Sequence, residues 1–174
     1  MPRILYTLGH SNRSLEEFKK ILTDYNIEAI VDIRRWPTSR KNPHFNRETL
    51  EKTVEKLGIT YHWMGDTLGG YRRMTPEASR IKCFESNGFK AYAYYITTDA
   101  RAWRALEEIA DIAGRKTTLI LCSERLPWRC HRKIVSDWLL WRGFKVIHII
   151  DPGHETPHKY TNCAKIVDGR LVYL

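Results

Sequence analysis

Arg3-Ile4-Leu5-Tyr6-Thr7-Leu8, then Gly9-His10-Ser11-Asn12-Arg13, then Ser14-Leu15-Glu16-Glu17-Phe18 is the stretch whose reading decides the fold. Residues 3–8 form a short apolar run that predicts a strand, and residues 9–13 a polar loop. Ser14 and Glu17 have capping-box spacing, and Leu15, Phe18, Leu22 and Tyr25 fall on one helical face, so a helix is expected to begin after Ser14. Strand, polar loop and amphipathic helix in that order is the repeating unit of an α/β domain.

The unit recurs outward from there. Residues 28–33 predict a second strand buried on both faces, and Pro37 and Pro43 mark a basic loop after it. Leu50, Val54 and Leu57 predict a second helix closed by Gly58, and residues 59–64 a third strand. Residues 65–88, with a turn at Gly69-Gly70, read as an inserted loop holding at most a short helix, and residues 89–95 as another short helix. Asp99 is placed to cap a helix carrying Trp103, Leu106, Ile109 and Ala113 that stops at Gly114. Residues 117–122 predict the fourth strand, and a helix after Pro127 turns Ile134, Val135, Trp138 and Leu139 inward and ends at Gly143. Residues 144–150 predict the fifth strand, and Asp168-Gly169 a hairpin turn near the end.

The expectation is one α/β domain over residues 1–174, a three-layer sandwich around a mostly parallel five-stranded sheet ordered 3-2-1-4-5, with a short C-terminal hairpin. In that order the first and fourth strands are neighbours at the point where the chain reverses direction. Ligands of open parallel sheets bind beyond the strand ends at such a point, which would bring loops 9–13 and 122–132 together.

Composition narrows the partners. The 174 residues include 29 Lys and Arg against 20 Asp and Glu, a net charge of +9. This favours nucleic acid or a phosphorylated small molecule, although a solvated basic surface gives the same total. No window approaches the roughly 20 apolar residues of a membrane span, and Met1-Pro2-Arg3-Ile4 runs into a strand without a signal-peptide layout, so a cytoplasmic protein without a membrane partner is expected. Cys83, Cys122, Cys130 and Cys163 lack the density of a secreted disulfide scaffold, and reduced thiols are the default.

The chemistry concentrates in Cys122-Ser123-Glu124-Arg125-Leu126-Pro127-Trp128-Arg129-Cys130-His131-Arg132, between a strand end and a helix start. Exposed amides and the helix dipole attract anions there, and a cysteine beside Arg and His is expected to ionise easily. Cys130 fits that description if the helix begins at or just before it, whereas Cys122 is better placed to face a ligand. Both could equally be small buried apolar residues. The spacing from Cys122 to Arg129 does not match a phosphatase or rhodanese loop, and Cys122, Cys130 and His131 lack the paired spacing and fourth ligand of a familiar zinc site. His148, His154 and His158 with Asp151 are a weaker metal alternative, so no metal and no cofactor is expected.

Asp32, at the tip of an apolar strand, needs a partner, and Arg34 on the same face is the obvious one; the alternative is a ribose hydroxyl. The single glycine of Gly9-His10-Ser11-Asn12-Arg13 argues against a dinucleotide fingerprint. Arg34-Arg35-Trp36-Pro37-Thr38-Ser39-Arg40-Lys41, with His44, Phe45 and Arg47, mixes cations and aromatics, as does Gly70-Tyr71-Arg72-Arg73. Such interleaving suits phosphate contacts and base stacking, or else a basic loop over the core.

Tyr6-Thr7-Leu8-Gly9-His10-Ser11-Asn12, Val31-Asp32-Ile33-Arg34 with Pro37, Ser39, Pro43 and Phe45, Leu68-Gly69-Gly70, Tyr92 to Tyr95, Cys122-Ser123-Glu124, Cys130-His131-Arg132, Pro157-His158 and Gly169-Arg170-Leu171-Val172-Tyr173 together resemble the prokaryotic domain of unknown function 488 family over essentially the whole chain. The resemblance implies an α/β fold with these loops grouped in one site, and carries no activity with it. The functional expectation is an anion-binding pocket for a nucleotide or nucleic acid. Cys122, His10 and Glu124 are its catalytic candidates, and Ser11, Asn12, Asp32, Arg34, Arg72, Cys130, His131 and Arg132 its ligand-binding candidates. The alternatives are a thiol-dependent enzyme using Cys122 or Cys130, and a basic nucleic-acid-binding module without catalysis.

Overall fold

The computed structural model describes residues 3–174; Met1 and Pro2, which head the N-terminal stretch discussed above, lie outside the described residues. Strand β1 (Ile4–Gly9) leads through the polar loop into α1 (Leu15–Asp24), whose Ser14 hydroxyl accepts the Glu17 amide as the capping spacing predicts. Strand β2 (Ala29–Asp32), helix α2 (Arg47–Glu55) and strand β3 (Thr60–Trp63) follow. The irregular segment after β3 holds a one-turn helix α3 (Gly65–Leu68), and then α4 (Asn87–Thr98) and α5 (Ala100–Arg115) run in succession. Asp99 accepts the amides of Arg101 and Ala102, which separates those two helices at the expected cap. Strand β4 (Thr118–Cys122), helix α6 (Arg132–Trp141) and strand β5 (Lys145–Asp151) complete the parallel part.

The sheet has six strands in the order β3-β2-β4-β1-β5-β6, with β6 spanning His154–Pro157, which corrects the expected order 3-2-1-4-5. Strand β4 sits between β2 and β1, the most sheltered position, and all five of its residues are buried. Its uninterrupted apolar run suits that place better than β1, where Tyr6 and Ile4 keep contact with solvent. The sixth strand was hidden by its polar, proline-ended sequence, a composition tolerated only at a sheet edge. It pairs antiparallel with β5 after a turn at Gly153, whose φ is 76°. The C-terminal hairpin forms as expected from β7 (Ala164–Val167) and β8 (Arg170–Tyr173), with Asp168 and Gly169 both at positive φ in the turn.

Helices α1 and α2 cover one face of the sheet, packing Phe18, Ile21, Leu22, Leu50 and Val54 on Ile30, Leu119 and Leu121. Helices α4, α5 and α6 cover the other, packing Tyr92, Leu106, Ile109, Ile134 and Trp138 on Val31, Ile120 and Cys122. Against the expectation of reduced thiols throughout, Cys83 is paired with Cys163, tying the loop before α4 to the start of the hairpin. No helix among the described residues is long and apolar enough to cross a membrane.

Candidate functional site

Strand register brings the two polar loops together. Gly9 lies opposite Cys122, and the pairing runs past the strand ends, with the His10 amide donating to the Cys122 carbonyl (2.8 Å) and the Ser11 amide to that of Ser123 (2.9 Å). The expected meeting of loops 9–13 and 122–132 therefore occurs although the strand order differs, because β1 and β4 remain neighbours.

The floor of the site is sulfur. Strand alternation turns Cys122 toward α4 and α6, and a single 3-10 turn (Pro127–Arg129) then carries the chain back. Helix α6 begins at Arg132, later than a start at Cys130 would have it. Cys130 is left in an extended conformation and His131 in a helical one, so two adjacent side chains reach the same point. The sulfurs of Cys122 and Cys130 lie 3.2 Å apart, and the His131 ring spans them, with Nε2 at 4.0 Å from Cys122 Sγ and Nδ1 at 3.8 Å from Cys130 Sγ. Each of the three residues offers one donor atom, all within 4.8 Å of one another. Burial raises the Cys130 thiol, but the bond shared with Cys122, the His131 ring and the Arg132 charge together hold it well below its usual range. The Cys122 thiol is pushed well up, first by its bond to Cys130 and then by burial.

One wall is a hydrogen-bonded chain. Arg34 donates from Nε (2.9 Å) and Nη2 (2.7 Å) to the two carboxylate oxygens of fully buried Asp32, which also accepts the Tyr61 hydroxyl. Arg34 Nη1 reaches His10 Nε2 at 3.2 Å, while His10 Nδ1 lies 2.8 Å from the Ser11 carbonyl and must donate to it. The ring is thus a neutral imidazole whose free nitrogen accepts from Arg34. Burial, and then the Arg34 charge, lower its pKa to about 4. His10 stacks on Phe45, their ring centres 4.4 Å apart.

The rim is aromatic and basic. Trp36 is 63% exposed and Tyr71 79%, their ring centres 5.1 Å apart, at the mouth of a cleft of about 400 Å³ lined by His10, Ser11, Arg34, Ser39, Cys122 and His131. Ser11 (φ 48°) and Tyr71 (φ 65°) both hold left-handed backbone that non-glycine residues avoid. Strained residues of this kind concentrate at functional sites. Arg35 and Tyr71 are shared with an adjoining cleft of about 550 Å³ that holds Arg72, Arg73 and Arg101.

Several residues singled out from the sequence sit elsewhere. Asp32 is consumed by Arg34 and Tyr61, which leaves no carboxylate face for a ribose. Arg132 is fully buried, donating to Thr7 Oγ1 and to the Glu124 and Arg125 carbonyls, so it braces the Cys122 loop from behind. Arg72 lies over the Tyr95 ring and donates to the Gly69 and Asp66 carbonyls, bracing the turn that presents Tyr71. Asn12 is exposed beside the cleft, and Glu124 lines a smaller cleft on the far side of the cysteines, where its Oε1 accepts the Leu126 amide. Thr38, Ser39 and Asn42 also line the main cleft and were not among the expected site residues, although Ser39 belongs to the family-like pattern and Thr38 and Ser39 to the basic, aromatic loop.

The alternative histidine group dissolves into a structural network. His148 and His158 join side chain to side chain (2.9 Å), His158 meets Asp137 (2.8 Å), and Asp137 also accepts Thr161 and Tyr173, which locks the tail and hairpin onto α6. Asp151 instead pairs with Arg13 and Arg125, and His154 is exposed on β6.

Comparison with curated proteins and with solved structures finds no match for this chain. Residues 14–139, which carry α1 through most of α6 and every residue of the sulfur floor, match the family model described as Domain of unknown function DUF488, and the chain belongs to that family.

Proposed function

We propose that the cleft binds a nucleotide unit, free or within a single strand, with its base stacked at Trp36 and Tyr71 and its phosphate directed toward the arginine-lined groove beside them. The observation that carries this reading is the exposed Trp36–Tyr71 pair, held over the cleft mouth by a strained backbone at Tyr71. A pair of exposed aromatics in contact offers an apolar surface that a flat ligand can cover, and base stacking on such side chains is sequence-tolerant. Arg35, Arg72, Arg73 and Arg101 supply the positive field expected of a chain with net charge +9. Ser11, Thr38, Ser39 and Asn42 line the cleft and supply hydroxyl and amide groups of the kind that fix a base edge. A cytoplasmic setting, where such ligands abound, belongs to the same proposal.

Calorimetric titration with a nucleoside, its monophosphate and a short single-stranded oligonucleotide separates the sources. The expected order is oligonucleotide tightest and nucleoside weakest, with oligonucleotide affinity falling steeply as salt rises. Trp36→Ala should lower affinity about tenfold or more without altering stability, because stacking contributes about 1–3 kcal/mol per base. Equal affinity of Trp36→Ala and the unmutated chain for all three ligands would overturn the reading.

A second reading, catalysis by a thiol, is favoured by the Cys122–Cys130 contact, in which Cys130 is the thiol held ionised. It predicts that Cys130 is alkylated at a pH where an ordinary thiol, of pKa about 8.5, is still almost wholly protonated. Alkylation that sets in only above about pH 8 would exclude it.

A further inference from the structure

The three donors at the cleft floor are arranged as a metal site, and this inference does not depend on what the cleft binds. We propose that Cys122, Cys130 and His131 bind one zinc ion whose fourth coordination position faces the cleft.

The geometry is close to what zinc requires. Bonds of about 2.3 Å to sulfur and about 2.0–2.1 Å to nitrogen place tetrahedron edges at about 3.7 Å between sulfurs and about 3.5 Å between sulfur and nitrogen. The separations of 3.2 Å between the sulfurs and 4.0 Å from Cys122 Sγ to His131 Nε2 lie within about half an ångström of those edges, and with all three donor atoms within 4.8 Å of one another, a turn of the His131 ring is what brings a single nitrogen to both sulfurs. The extended conformation of Cys130 followed by the helical one of His131 already brings the side chains of neighbouring residues 130 and 131 to one place.

Charge and softness favour the same ion. Two thiolates and a neutral imidazole around Zn²⁺ sum to zero, which suits sulfurs as deeply buried as Cys122 and Cys130. The Arg132 amide donates to Cys130 Sγ at 3.4 Å, an outer contact of the kind that steadies metal thiolates. Tyr92 packs edge-on to the His131 ring at 4.9 Å and fixes its orientation.

The open position distinguishes this site from a structural one. Among the described residues the cluster holds three ligands, and two clefts meet over it, both lined by Cys122, Ser123 and His131. Three protein ligands with a fourth position left to water or substrate is the pattern of catalytic zinc, whereas structural zinc is closed by four. That missing fourth residue is why paired-cysteine spacing does not reveal the site.

The test uses the full chain, reduced and stripped of metal, titrated with Co²⁺ and then Zn²⁺ with no nucleotide present. The expected result is one equivalent of Co²⁺ bound with a thiolate charge-transfer band and tetrahedral d–d bands, displaced stoichiometrically by Zn²⁺. Cys122→Ser and Cys130→Ser should each reduce the charge-transfer intensity by about half and weaken affinity at least about a hundredfold, more than loss of an outer contact does. Cys83→Ser with Cys163→Ser should leave both readings unchanged. His131→Asn, at a half-buried position, is the variant to rely on if a cysteine substitution prevents folding, and it should weaken affinity while keeping the charge-transfer band. A reduced, folded chain that gives no charge-transfer band, or one whose band and affinity survive His131→Asn and Cys130→Ser, overturns the proposal. Failure here leaves the stacking of a base at Trp36 untouched, since that is read without metal.

Discussion

A Cβ placed on Gly9 would lie 1.7 Å from the backbone carbonyl oxygen of Glu124, so the end of β1 and the loop after β4 touch backbone to backbone. That contact holds the His10 loop against the cysteine loop and lets the ladder of amides continue beyond the sheet. Gly9 is required for close approach, not for an unusual φ, since it lies in regular strand.

Gly9→Ala must displace backbone and is expected to destabilise the chain by about 2–3 kcal/mol, in the upper range of overpacking effects. Gly114→Ala, where an added Cβ meets nothing within 4 Å in the last turns of α5, should instead stabilise by up to about 1 kcal/mol. Urea unfolding midpoints of the two variants compared with the unmutated chain check the pair.

Much of this fold is legible in the sequence because its devices are local. Ser14 and Asp99 cap the helices they were expected to cap, and Asp168-Gly169 turns the hairpin. The order of β1 and β4 was not legible, since both are short apolar runs and only their relative burial in the folded sheet separates them. Edge strand β6 was invisible for the opposite reason: it has no buried face to impose alternation. In the site, the meeting of the two loops was legible from topology and the Asp32–Arg34 pair from their placement on one strand face, but the role of Arg132 was not. Arg34 was expected to pair with Asp32 and does so, whereas Arg132 reads in the sequence as one more cation for a ligand and only the folded chain commits it to Thr7 and to backbone carbonyls.

The Asp32–Arg34 pair is buried on both sides, and breaking it leaves a charge without a partner. Asp32→Asn should destabilise by about 3–5 kcal/mol, the range for removing one member of a buried pair. Replacing both, as Asp32→Asn with Arg34→Met, should recover part of that loss. A double variant no more stable than Asp32→Asn, in the same unfolding measurement, would contradict this account of the wall.

Stability should fall on the acid side of neutrality. His10 and His148 have pKa values lowered from 6.5 to about 4 and about 3, in both cases by burial first and by neighbouring positive groups after it. Below pH 6.5 the unfolded chain takes up protons that the folded chain refuses, so their contribution is complete above about pH 6.5 and is lost progressively as pH falls toward the folded values. The slope of unfolding free energy against pH between about 6.5 and 4 should be positive, and His148→Asn should reduce it.

The central claim, that a base stacks at the Trp36–Tyr71 rim, is tested most directly by ultraviolet cross-linking of a single strand carrying a photoreactive base, followed by peptide mass spectrometry. Adducts on Trp36 or Tyr71, lost in competition with unlabelled strand, are the predicted result. Specific adducts confined to other surfaces, with both aromatics unmodified at saturating strand, would contradict it.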